Sequence, residues 1–251
     1  MSDLTTVREE VIYEGRDLEA MSFAANYHEW ILQIFAPYLG HHAVEVGAGA
    51  GSFSRLLLRH SWLSLALVEP SNMYQALTER ITPAEADTKI TLHNVVFRQV
   101  CAQIKAVQPP DSIIYVNVLE HIEDDEVELQ AIHETLAADG KLFIFVPALS
   151  GLYSRFDKKL GHFRRYTKSE LEEKCRRAGF GIIRSSYFDM AGIVPWWVKY
   201  KLLKSTVMEP QAVALYDKYV VPGVKALESL IKPPLGKNII LIAEKTDIKP
   251  I

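Results

Sequence analysis

Val44-Glu45-Val46-Gly47-Ala48-Gly49-Ala50-Gly51-Ser52-Phe53-Ser54 reads as a buried strand that runs into a glycine-spaced turn and then a helix. Glycine at every second position removes the Cβ atoms that would meet a ligand and permits the positive φ angles of a tight turn. A helix starting near Gly51 offers its first unpaired N–H groups to whatever sits in that turn. Glu45 is an acid close to the end of an apolar strand, a costly position without a partner. A loop of this kind binds a nucleotide-like ligand.

Two ligand classes compete for it. The dinucleotide fingerprint G-x-G-x-x-G needs its third glycine for helix–strand packing and pyrophosphate approach. Here the spacing is G-x-G-x-G, and Ser52 takes the place of the fingerprint's last glycine. Glu45 suits a ligand with a positively charged amino group and no phosphate. The stretch resembles the first motif, E/D-x-G-x-G-x-G, of the class I S-adenosylmethionine (SAM)-dependent methyltransferases. That resemblance implies S-adenosyl-L-methionine as cofactor, with Glu45, Gly47, Ala48, Gly49 and Gly51 around it. An NAD-dependent oxidoreductase on a similar sheet is the competing reading.

The chain has 251 residues, 49% hydrophobic and 24% charged, enough for an ample core in one α/β domain carrying an insertion. A net charge of -3 gives no reason to expect nucleic acid as a partner. Cys101 and Cys175 are isolated and imply neither a disulfide framework nor a zinc site, which fits a reducing cytoplasm. The first ten residues lack the apolar core of a signal peptide, and no run approaches the length of a membrane span. A cytoplasmic location is expected.

Outward from the glycine turn, apolar spacing predicts a helix over residues 17–38, closed by Pro37 and Gly40. Strands are expected at Ala43–Val46, Leu63–Val68, Ile90–Val95, Ile113–Val118, Lys141–Val146, Phe180–Tyr187 and Asn238–Glu244. Helices are expected at Phe53–Arg59, Asn72–Ile81, Asp125–Ala137 and Lys168–Ala178, the last with Thr167 and Glu170 as a capping box. The alternation predicts a doubly wound, mostly parallel sheet, with ligands beyond the carboxyl ends of its strands. With the resemblance, this is a Rossmann-like α/β fold: a seven-stranded sheet, an N-terminal helical cap over residues 1–40 and a helical insertion or lid over residues 192–234. An amphipathic helix over Gln211–Ile231 is expected to pack on the sheet edge.

Glu69, at the end of the second strand and before Pro70, can accept both ribose hydroxyls; a solvated acid at a helix start is the plainer alternative. The stretch Ile113-Ile114-Tyr115-Val116-Asn117-Val118-Leu119-Glu120-His121 resembles the post-strand "LEH" motif of methyltransferases, which implies that Asn117 and Val118 lie at the methionine end of the cofactor. Many relatives carry an acid after the third strand for the adenine amine. This chain has Asn94 and Val95 there, so an amide or a backbone carbonyl would take over. Glu120-His121 resembles part of the E-x-x-E-H metal cluster of some ubiquinone-pathway O-methyltransferases. With Asn117 in place of the first acid, no metal is expected, because a hard cation prefers several oxygens. Acids at Glu123-Asp124-Asp125-Glu126 are explained by the helix dipole.

The connection from Pro147 to Thr167 is long, aromatic and cationic, and resembles a branch of bacterial small-molecule methyltransferases with L-Y-x-x-F-D-x-x-x-G-H-x-R-R-Y-T. His162 is the candidate general base. Arg164, Arg165 and Tyr166, with Tyr153 and Tyr27, are candidate contacts to an anionic or phenolic acceptor. The alternative is that the arginines pair with Asp157 or the acidic helices while Tyr166 packs. Pro195-Trp196-Trp197-Val198-Lys199-Tyr200-Lys201-Leu202-Leu203-Lys204 suits a membrane interface or a lipid-like acceptor, with the core face of a lid helix or a dimer contact as the plainer alternatives. The expected activity is methyl transfer to a small-molecule acceptor, by O-methylation; N- or C-methylation and a non-catalytic SAM-binding subunit are the alternatives. Oligomeric state is not legible.

Overall fold

A computed structural model describes residues 24–81 and 88–246. Seven strands form one sheet in the order β3-β2-β1-β4-β5-β7-β6. They are β1 (His42–Val46), β2 (Ser64–Val68), β3 (Lys89–His93), β4 (Ser112–Val116), β5 (Lys141–Pro147), β6 (Phe180–Phe188) and β7 (Asn238–Lys245). Strands β1 to β5 pair in parallel, while β7 runs antiparallel between β5 and β6. The expected Rossmann-like α/β sheet is therefore present, mostly parallel with an antiparallel hairpin at its end.

The helices are α1 (Ala25–Phe35), α2 (Ser54–Leu57), α3 (Tyr74–Arg80), α4 (Phe97–Val107), α5 (Asp125–Thr135), α6 (Arg155–Lys159), α7 (Lys168–Arg177), α8 (Ile193–Trp196), α9 (Pro210–Tyr219) and α10 (Val221–Leu230). A π-helical turn over Trp197–Leu202 continues α8. None of the described helices is long and apolar enough to cross a membrane.

Strand periodicity divides the core. Val44, Val46, Ile113, Tyr115 and Ile144 face α4, α5 and α7 through Phe97, Val100, Leu129, Ile132 and Leu171. Ala43, Leu65, Leu67, Ile114 and Phe145 face the other way, against Tyr27, Ile31 and Phe35 of α1, Leu57 of α2 and Leu77 of α3. Glu45 shares that second face with Ala43, which is how an acid comes to be buried.

Several expectations change. The helix over residues 17–38 is seen as α1 followed by a 3₁₀ turn at Ala36–Tyr38, and residues 17–23 lie outside the described ones. The helix after the glycine turn is a single turn, because the chain tightens at Arg59 and His60 and the Trp62 indole takes the Leu57 carbonyl at 2.7 Å. Helix α4 is additional; its buried Phe97, Val100 and Ile104 recur at helical spacing. Gln211–Ile231 is two helices, since Pro222 has no amide for the Lys218 carbonyl. The pair packs on α1 rather than on the sheet edge, and Asp217 caps the start of α1 by accepting the amides of Asn26 (3.0 Å) and Tyr27 (2.8 Å).

The glycine turn has little room. Gly47 sits at φ +70°, and a Cβ there would lie 2.4 Å from Cγ2 of Val118. Gly47→Ala combines left-handed strain with a steric conflict, so about 2–4 kcal/mol of stability should be lost in urea unfolding. An unchanged midpoint would show that Val118 yields and the turn relaxes.

Candidate functional site

The register brings the chemistry together. Val46 lies beside Val68 on one side and Tyr115 on the other, so the chain leaves β1, β2 and β4 at one level. Beyond it, the Gly47 and Ala48 amides donate to the Val68 carbonyl (2.8 and 3.1 Å), and Asn117, at φ 55°, donates its amide to Phe145 (2.8 Å). This is the point where strand order reverses, the usual ligand site of such sheets.

Glu69 is buried and braces the turn. One carboxylate oxygen accepts the Gly49 amide at 2.7 Å and the other the Ser71 amide at 2.9 Å. Asn94, the residue after β3, closes the arrangement by donating its side-chain amide to the Glu69 carbonyl at 2.9 Å. Asn94 and Val95 line a shallow depression with Tyr74, Leu92 and Gln99, outside the main cleft. Pro70 lies between the braced Glu69 and Ser71, and Gly51 packs behind the turn against Leu77 and Ile81.

Glu45 lines the main cleft, and its Oε2 is shielded from water without a hydrogen-bond partner. Burial pushes its carboxyl up to about 8; the neighbouring Ser54 hydroxyl opposes the shift and the Glu69 charge adds to it. A cationic amine in the cleft would supply the partner this oxygen lacks.

The connection after β5 folds around two buried carboxylates. Asp157 accepts from the Ser154 amide (2.8 Å) and hydroxyl (2.7 Å) in a capping box, from Arg165 Nε (2.7 Å) and from His162 Nδ1 (3.2 Å). Burial pushes the Asp157 carboxyl up, but hydrogen bonding from His162, the Arg165 charge and Ser154 hold it below the usual range. Asp125 accepts the Tyr166 hydroxyl (2.8 Å) and pairs with Arg164 (2.8 Å) and Lys174 (2.7 Å). The Tyr153 hydroxyl donates to the His162 carbonyl at 2.7 Å. His162 and Arg165 therefore reach the cleft wall, whereas Arg164, Tyr166 and Tyr153 hold the loop and do not line the cleft.

Glu120 follows β4 and is fully buried, with neither carboxylate oxygen hydrogen-bonded. Burial pushes it up to about 7, partly offset by His162. Burial likewise holds His121 down to about 3, reinforced by His162, whose ring centroid lies 4.5 Å away. One donor atom from each of Glu120, His121 and His162 fits within 4.8 Å of the others, a grouping able to take a cation.

The cleft opens to solvent at the carboxyl edge of the sheet. Glu45, Gly47, Ala48, Gly49, Asn117, His162, Arg165 and Tyr27 all line it; Val118 supports Gly47 from behind. The Tyr27 hydroxyl donates to Asn238 at 2.9 Å. Sequence reasoning missed His28, Phe53, Phe145, Met208, Lys237 and Asn238. The last two reach the cleft because β7 is antiparallel, and an antiparallel strand begins at the edge where parallel strands end; no local signal in the sequence gives that direction.

The sequence profile of a methyltransferase-domain family matches residues 20–185. No curated protein matches the chain in sequence. Solved structures share the fold at low identity. The 1,6-didemethyltoxoflavin-N1-methyltransferase of Burkholderia thailandensis, with bound 1,6-didemethyltoxoflavin and S-adenosylhomocysteine, is 17% identical at a TM-score of 0.57, over 93% of this chain and 83% of that one. The cyclopropane synthase MmaA2 of Mycobacterium tuberculosis is 16% identical at 0.56, over 85% and 82%. An S-adenosylmethionine-dependent methyltransferase of Mesorhizobium loti is 15% identical at 0.57, over 87% and 98%.

Asp157→Ala leaves the Arg165 guanidinium buried without its counter-ion, and unfolding should show a loss of about 3–5 kcal/mol. A loss below ~1 kcal/mol would mean that the loop is held by its other contacts.

Proposed function

The chain belongs to the methyltransferase-domain family, with S-adenosyl-L-methionine as its cofactor, and from that premise we propose that it methylates an oxygen of a small-molecule acceptor. The observation that carries this reading is the Asp157–His162 pair on the wall of the cleft that holds the glycine turn. In this reading residues 1–251 form one unit, with the insertion over residues 192–234 as its acceptor lid.

The cofactor, when bound, supplies an electrophilic methyl group on a sulfonium. Glu45 would take the amino group, directly or through water, and the turn from Gly47 through Ala48 and Gly49 to Gly51 would follow the backbone of the ligand. Glu69 and Pro70 would meet the ribose, Asn94 and Val95 the adenine beside Tyr74, and Asn117 with Val118 the methionine end. Asp157 holds the proton on Nδ1 of His162, which leaves Nε2 basic and able to accept a hydroxyl proton from the acceptor. Arg165 and Tyr27 would stabilise and position the acceptor oxygen; Tyr153, Arg164 and Tyr166 serve by holding the loop. The Burkholderia neighbour named above, an N1-methyltransferase with 1,6-didemethyltoxoflavin bound, supports a small-molecule acceptor, while the choice of oxygen rests on His162.

A second reading is favoured by the unpartnered Glu120 carboxylate: a divalent cation on Glu120, His121 and His162 would lower the pKa of the acceptor hydroxyl in place of the histidine base. Under the first reading, His162→Ala lowers kcat by about 10²–10⁴-fold while S-adenosylhomocysteine affinity is unchanged, and EDTA has no effect. Activity abolished by EDTA and restored by one divalent metal would select the cation instead.

Glu45 gives a separate check. Its carboxyl is protonated in the free protein below about 8, and an ammonium partner favours the ionised form. Cofactor uptake at neutral pH then releases up to one proton, and S-adenosylhomocysteine affinity should rise by up to about tenfold per pH unit between roughly pH 6 and 7.5. Titration calorimetry in buffers of different ionisation enthalpy reads that proton. A pH-independent affinity, identical in Glu45→Gln, would remove Glu45 from the cofactor site.

A further inference from the structure

The cofactor cleft has a neighbour. A second cavity lies beneath the insertion and shares Tyr27, Trp196, Met208 and Lys237 with the cleft; Tyr200 and Val213 are among its other walls. Phe156 stacks on Tyr200 with ring centroids 4.4 Å apart, and Trp196 leans on Tyr200 at 4.4 Å. This rigid aromatic wall keeps the space from collapsing, while the thioether of Met208 can adapt to a guest.

The shared residues form a neck with its own chemistry. The Arg165 guanidinium rests 4.5 Å over the Trp196 ring, and the Lys237 ammonium lies 4.9 Å from the Tyr27 ring centroid and 5.5 Å from that of Trp196. Nε1 of Trp196 is shielded from water and has no hydrogen-bond partner. A buried donor in that state favours any guest that brings an oxygen. Outside, the same element exposes Val194, Trp197, Leu202 and Leu203 between lysines.

We propose that the second cavity receives the apolar chain of the methyl acceptor, whose oxygen-bearing head lodges at the neck between the Trp196 N–H and the two cations. The acceptor class is a hydroxyl- or phenol-headed molecule with an alkyl or prenyl chain. This inference rests on the methyltransferase reading, because the neck must open onto the bound cofactor.

The test is a series of n-alkyl 4-hydroxybenzoates, methyl to octyl, titrated into the protein saturated with S-adenosylhomocysteine. Affinity should tighten about two- to fourfold per methylene until the cavity is full. Ala212→Trp, at the cavity rim, should flatten the series and leave S-adenosylhomocysteine affinity within about twofold; Ala212→Met is the milder block if the larger side chain disturbs α9. Trp196→Phe should weaken every member by about tenfold. A flat series in the unaltered protein, with S-adenosylhomocysteine still bound, overturns the subsite and leaves the methyltransferase reading intact. Failure to bind S-adenosylhomocysteine at all overturns the reading beneath it. Sedimentation with vesicles of phosphatidylcholine and phosphatidylglycerol separates the sources: co-sedimentation places the acceptor in a bilayer, and protein left in the supernatant places it among soluble chain-bearing molecules.

Discussion

The parallel pairing of β1 with both β2 and β4 is the constraint on which the cleft depends. Three strands ending at one level must send their chains away in different directions, and the backbone between them has to turn without side chains in the way. Gly47 answers that demand against Val118, and Glu69 secures the answer by accepting amides on both of its oxygens. Were β1 displaced by one residue, Glu45 would leave the face shared with α1 and Gly47 would no longer meet Val118. The strand register thus selects the residues available to a ligand before any ligand is present.

The opposite wall is built by charge. Asp157 and Asp125 are buried almost completely, and each gathers several donors from a connection that has little regular structure. Burying a carboxylate is unfavourable unless its oxygens are satisfied, so each anion fixes the loop around itself. The two networks divide the cationic run. Arg165 turns towards Asp157 and the cleft, whereas Arg164 turns towards Asp125 and the Glu123 carbonyl. Adjacent arginines with the same sequence signal come to face different neighbours.

That division shows where sequence reading stops. The glycine turn and the capping box at Thr167 were legible, because each is a local rule about backbone conformation or spacing, whereas Asn117 was marked only by the resemblance and the bracing of the turn by Glu69 was not foreseen. Placing Arg164, Tyr153 and Tyr166 beside an acceptor required knowledge of which distant carboxylate each would find, and periodicity does not carry that. Pro222 was visible and should have split the helix over Gln211–Ile231. Helix α4 was also legible from Phe97, Val100 and Ile104, though its polar remainder masks the stripe. Lys237 and Asn238 were hidden by a topological fact, the antiparallel course of β7.

The reversed course of β7 has a further consequence. Phe188 pairs with Asn238, the Lys237 amide donates to the Asp189 carbonyl at 3.1 Å, and a Cβ on Gly236 would fall 2.5 Å from the Phe188 backbone. The insertion therefore leaves and re-enters the sheet through one narrow stem. The stretch between Asp189 and Gly236 hangs from that stem and is anchored a second time on α1, where Asp217 caps the helix start, so its length and content can change only where those anchors are kept. Under the proposed lid role, the contacts that would select the acceptor lie in a different stretch of chain from the sheet, and the two meet at the stem, at α1 and along the loop over residues 153–166.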